Sequence, residues 1–160
     1  MSPALSIPPL DPSASVNHNA QLILSVRVAD LLRYGPIIPD ATASEDLHNA
    51  RIAAKRLRYT LELFPSLYEG KGGNILDKLK LLQEELGLLH DADVRMELIE
   101  SELASLKSGK KSRVRSGLEL ILAREQTTRA ERHTAVVQLW RKLKHGRIES
   151  RLDALARSAH

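Results

Sequence analysis

His48, Arg51, Lys55 and Arg58 follow one another at intervals of three, four and three residues. On an α-helix that spacing stacks side chains along one line, successive members about 5–6 Å apart. Tyr59 joins the row and Arg56 lies at its edge, within about 100° of arc. Such a row repels itself unless acids of neighbouring helices or a bound anion neutralise it, and its only acid is Glu62. Most of the cations are arginine, whose planar fork fits phosphate oxygens and keeps its charge at any working pH. The residue types suit a polyanion held by charge. They equally describe a solvated helix face, so the pattern alone names no ligand.

Other residues invite chemistry and do not sustain it. His90–Asp91 has the form of a metal-dependent phosphohydrolase pair, but Asp93 is the sole further ligand close by. Asp91 reads better as a helix cap, with His90 at the junction before it. A cation site on phosphate needs acids converging at one point. Glu84, Glu85, Asp91 and Asp93 fall on different sides, and Glu84 and Glu85 are expected to face water or pair with the basic last helix. There is no glycine-rich phosphate loop followed by lysine, and no nucleophile beside a base. Catalysis, a resident metal and a cofactor are not expected.

The elements that must position the row are all helical. Residues 1–15 hold four of the seven prolines and read as a flexible arm. Apolar spacing predicts helices over Val16–Tyr34, from Ser44 to Phe64, over "ILDKLKLLQEELG" ended by Gly87, and from Asp91 through "DADVRMELIESELASL". A fifth runs from Val114 to about Lys144, roughly 46 Å long, and bends or overhangs the rest. A short sixth is expected around Ile148 to Arg157. "YGPIIPD" and "EGKGGN" are breaks. Within the second helix, Leu47, Ala50, Ala54, Leu57, Leu61 and Phe64 form the core stripe, and small Ala50, Ala53 and Ala54 admit close neighbours. The reading is all-α: one up-and-down bundle domain over residues 16–160 with a long C-terminal helix.

Composition bounds the rest. The chain has 160 residues, 42% of them apolar but only 3% aromatic, so the core is aliphatic. No cysteine means no disulfide and no thiolate metal site. The opening residues lack a signal-like basic head and apolar run, and no stretch is long enough to span a membrane; a soluble cytoplasmic chain is expected. Net charge is +4, but it alternates in blocks: −3 over residues 1–46, +3 over 47–68, −5 over 69–102 and +9 over 103–147. Binding to an acidic membrane is disfavoured by Glu119, Glu125 and Glu131 in the basic last helix.

"LHNARIAAKRLRYTLELF", a gap, and then "LKLLQEELGLLHDADV" resembles the conserved-histidine α-helical domain family, CHAD. The resemblance extends over roughly residues 16–146, including the closing helix. It implies a helical bundle that binds inorganic polyphosphate, with some members tied to polyphosphate granules. The family's cationic positions fall here on His48, Arg51, Lys55, Arg56 and Arg58. Lys78 and Lys80, and Arg124, Arg132, Arg141 and Lys144 on the last helix, are weaker candidates that extend the track if their faces turn inward. Family members usually carry two such bundles. This chain has one motif pair, closest to a second half, so either it completes itself as a symmetric homodimer that sets two basic rows across one groove, the reading preferred here, or a single bundle suffices. Nucleic acid is the rival ligand, and a structural interaction bundle is the other alternative. Sequence-tolerant binding of single strands needs aromatic platforms, and only Tyr59 adjoins the row.

Overall fold

The first helix begins where Ser15 stops its backbone from fraying: the hydroxyl accepts a hydrogen bond from the His18 N–H at 3.1 Å. In the computed structural model, which describes residues 4–65, 73–106, 112–145 and 150, this is the first of four helices. They are α1 (Val16–Leu32), α2 (Ser44–Leu63), α3 (Gly73–Ser105) and α4 (Ser112–His145). No strand occurs among the described residues. Each helix packs on the next in the chain, giving an all-α, up-and-down bundle with a long C-terminal helix.

The apolar stripes meet in one aliphatic core. Leu24, Val28 and Leu31 of α1 face Leu47, Ala50, Ala54, Leu57 and Leu61 of α2, all buried. Ile75, Leu79, Leu82, Leu86 and Leu89 carry the core along α3, and Val136, Trp140 and Leu143 close it from α4. Phe64, at the end of the α2 stripe, is only partly buried. The link between α1 and α2 is part of the packing. Ile38 is fully buried, and its carbonyl accepts from His133 Nε2 of α4 at 2.9 Å. Trp140 lies so close to Gly35 that an added Cβ would sit 3.0 Å from both its Cζ2 and the Leu32 carbonyl oxygen.

Two expectations change. The third and fourth helices are one, because α3 runs unbroken through Gly87 and Asp91. A glycine inside a helix costs only about 1 kcal/mol. Here the stripe Leu82, Leu86, Leu89, Ala92 continues in register across it, and burying those side chains outweighs that cost. Asp91 is therefore an exposed mid-helix residue rather than a cap, and His90 sits inside a helix rather than at a junction. The expected start of α2 holds: Ser44 is its first residue, with Glu45 and Asp46 in the first turn. The expected turn before α3 lies largely outside the described residues, as does the sixth helix apart from Ser150.

The long hairpin outruns its partners. The buried residues of α3 end at Ala92 and those of α4 begin at His133. Beyond them 13 residues of α3, roughly 20 Å of helix, project with α4 past the core.

Candidate functional site

The seam where α2 and α3 run antiparallel presents the basic row. The alanines of α2 make the close approach: Ala50, Ala53 and Ala54 are all buried against the core. His48 is half-buried, and its ring stacks on His90 of α3 with centroids 4.2 Å apart, tilted by 45°. One turn further along α2, Arg51 crosses α3 at Gly87, where a Cβ would lie 3.5 Å from its Nε. The missing side chain leaves Arg51 its passage.

Lys55 is exposed, with Nζ 5.7 Å from the centre of the Tyr59 ring, and the Arg58 guanidinium lies 4.4 Å from the same centre. Arg58 also donates from Nε to Gln83 Oε1 at 2.8 Å and pairs with Glu62 at 2.8 Å. Lys80 of α3 approaches Glu62 at 3.7 Å. Glu62 thus sits between two cations at the far end of the row. Arg51 and Lys55 form no ion pair with any described residue.

His48 registers this field. His48 is held below the ordinary histidine range by burial first, then by His90 and Arg51, while Glu45 pulls the other way. Its buried Nδ1 has no hydrogen-bond partner among the described residues. Beside the two rings opens a cleft of about 500 Å³ whose other wall includes Glu45, Asp93, Glu97 and Glu100. The histidine pair stands at the boundary between an acidic cleft and a cationic seam. Among the described residues, no three His, Asp or Glu side chains converge to hold a metal ion.

The remaining sequence candidates are dispersed. Arg56 leaves the row and reaches Oδ2 of Asp30, fully buried on α1, at 3.7 Å. Arg33 pairs with Oδ1 of the same carboxylate at 3.0 Å, and that oxygen accepts the Leu5 N–H at 3.3 Å, which pins the arm to α1. Lys78 is half-buried on α3. Arg132 is drawn to Glu85 at 3.3 Å, so that acid does pair with the last helix. Arg124, Arg141 and Lys144 are exposed on α4. Sequence reasoning missed Arg129, which donates to Asp93 and, at 2.8 Å, to the Ser44 hydroxyl, tying three helices together beside the cleft. It also missed the stacking of His90 on His48. Only the register of α2 against α3 could have revealed that contact.

A family model described as the CHAD domain matches residues 4–100, more than half of the chain. The chain belongs to the CHAD domain family. No curated protein and no solved structure matches it. The CHAD match takes in the arm, α1, α2 and most of α3, and with them the seam from His48 to His90. Arg124, Arg132, Arg141 and Lys144 lie beyond the matched CHAD stretch. No helix among the described residues is long and apolar enough to cross a membrane.

Proposed function

We propose that this CHAD chain binds inorganic polyphosphate along the α2–α3 seam and catalyses nothing on it. The observation that carries the reading is the pair Arg51 and Lys55, cations without an acidic partner among the described residues, next to two stacked imidazoles. A long anion laid there meets Arg51, Lys55 and Arg58 in sequence, and its condensed counterions are released, as with a nucleic-acid backbone. Tyr59 supports the same reading. Its ring already carries the Lys55 and Arg58 charges, so it spreads cations along the surface instead of offering a bare face to a base. The reading includes a homodimer, since one motif pair is half of the family's two-bundle pattern, and a place with cytoplasmic polyphosphate, including its granules.

The test is a titration with long-chain polyphosphate, with single-stranded DNA of matched phosphate number as competitor. The Arg51→Ala/Lys55→Ala/Arg58→Ala variant runs alongside. Wild type is expected to prefer polyphosphate by at least tenfold, and the folded variant to lose that affinity. Undiminished binding by the variant makes the row a solvated face, and preference for DNA changes the ligand.

A further inference from the structure

One end of the basic row already holds an anion, and that anion is a side chain. Both carboxylate oxygens of Glu62 accept from Arg58 Nη1, at 2.8 and 3.1 Å, and one of them lies 3.7 Å from Lys80 Nζ across the seam. Arg58 has two further supports. Its Nε donates to Gln83 Oε1 at 2.8 Å, and its guanidinium lies 4.4 Å from the centre of the Tyr59 ring. Gln83 and Tyr59 hold the guanidinium independently of Glu62, so the place of its anionic partner is preformed. A carboxylate shared by two cations on different helices sits where phosphate oxygens would also be held.

The opposite end offers an anion no continuation. Past His48, the cleft is lined by Glu45 and, from α3, by Val94 and Glu97. Acidic and apolar surface turns a phosphate chain away there. Past Lys55 the next cations on the seam are Arg58 and Lys80, so a chain lying on Arg51 and Lys55 extends toward Glu62. From Arg51 to Glu62 is about 16 Å of helix. With 33% of its side chain exposed, Glu62 is held loosely enough for a multivalent anion to displace it.

We propose that Glu62 makes the seam read the length of its ligand. It stands in for phosphate on Arg58 and Lys80, and a polyphosphate long enough to reach it takes its place. The assignment rests on polyphosphate lying along the seam. A short chain meets the open cations Arg51 and Lys55 and leaves Glu62 where it is. A long chain exchanges the carboxylate for its own oxygens and gains two cations that the empty protein keeps neutralised.

The experiment follows the Glu62 carboxyl carbon by NMR in wild type. Long-chain polyphosphate is expected to shift it, and tripolyphosphate, whose three phosphates are filled by Arg51 and Lys55, is not. Affinity for the long chain is then compared among variants whose fold is checked by helical circular dichroism. Glu62→Gln, which has no carboxylate to displace, is expected to bind about fivefold more tightly than wild type. Glu84→Gln loses the same charge at an exposed α3 position that pairs with neither Arg58 nor Lys80, and is expected to change affinity by less than about twofold. Adding Lys80→Ala to Glu62→Gln is expected to abolish the gain. An unmoved Glu62, equal gains in the two glutamine variants, or a gain that survives Lys80→Ala overturns the assignment. Where Arg51→Ala/Lys55→Ala has meanwhile lost binding, the seam stands and only the role of Glu62 falls. Undiminished binding in that variant overturns both.

Discussion

His48 combines burial with a neighbouring cation and a second imidazole in one side chain. Its pKa is depressed by burial, then by His90 and Arg51, so as pH falls the unfolded chain takes up this proton before the folded one. The empty protein is therefore expected to lose stability as pH falls from about 6.5 toward the lower folded-state value, with no contribution from this group above that window. A bound polyanion acts in the opposite sense, because it favours the protonated ring. Polyphosphate should bind more tightly at about pH 5.5 than at about pH 8, with proton uptake measurable by calorimetry in buffers of different ionisation enthalpy. His48→Gln should flatten both dependences. Arg56 gives a contrast at the same scale. Tied to buried Asp30, it should cost about 1 kcal/mol of stability on Arg56→Ala, read from the denaturation midpoint, and change polyphosphate affinity far less than Arg51→Ala does. The row itself was legible because helical spacing alone aligns its members. The departure of Arg56 was not, because its partner lies on another helix.

At the scale of elements, α3 shows how tertiary packing outweighs local signals. Gly87 and Asp91 have the types that end and begin helices, yet the buried stripe through Leu86 and Leu89 is continuous. The α2 stripe from Leu47 to Leu61 was readable because nothing interrupts its period. Gly87 also sets a balance between helix and site. Gly87→Ala places a Cβ at an ordinary contact distance from Arg51 Nε, so it should stabilise the fold by about 1 kcal/mol in thermal unfolding and leave binding unchanged. Gly87→Leu should push Arg51 off its path and weaken polyphosphate in the same titration. Asp30 has the reverse balance. It is fully buried between two arginines and the Leu5 N–H, so Asp30→Ala should cost roughly 2–3 kcal/mol in denaturant unfolding without moving the seam.

For the whole molecule, the alternating charge blocks resolve into two uses. Some acids meet the basic last helix directly, as in Arg132–Glu85, Arg95–Glu125 and Arg129–Asp93. Within the block around α2, Arg56 and Arg58 find acids while Arg51 and Lys55 find none among the described residues, and the proposed binding face rests on that pair beside the imidazoles. Block sums in a sequence cannot make the distinction, because it depends on which acids each helix finds across its seam. The most direct measurement is therefore local. Imidazole NMR would follow His48, His90, His18 and His133 during a polyphosphate titration. Polyphosphate is expected to shift the His48 and His90 resonances and to raise the depressed His48 pKa, while the resonances of His18 at the start of α1 and His133 on Ile38 stay put. Saturable binding that leaves His48 and His90 unmoved would contradict it.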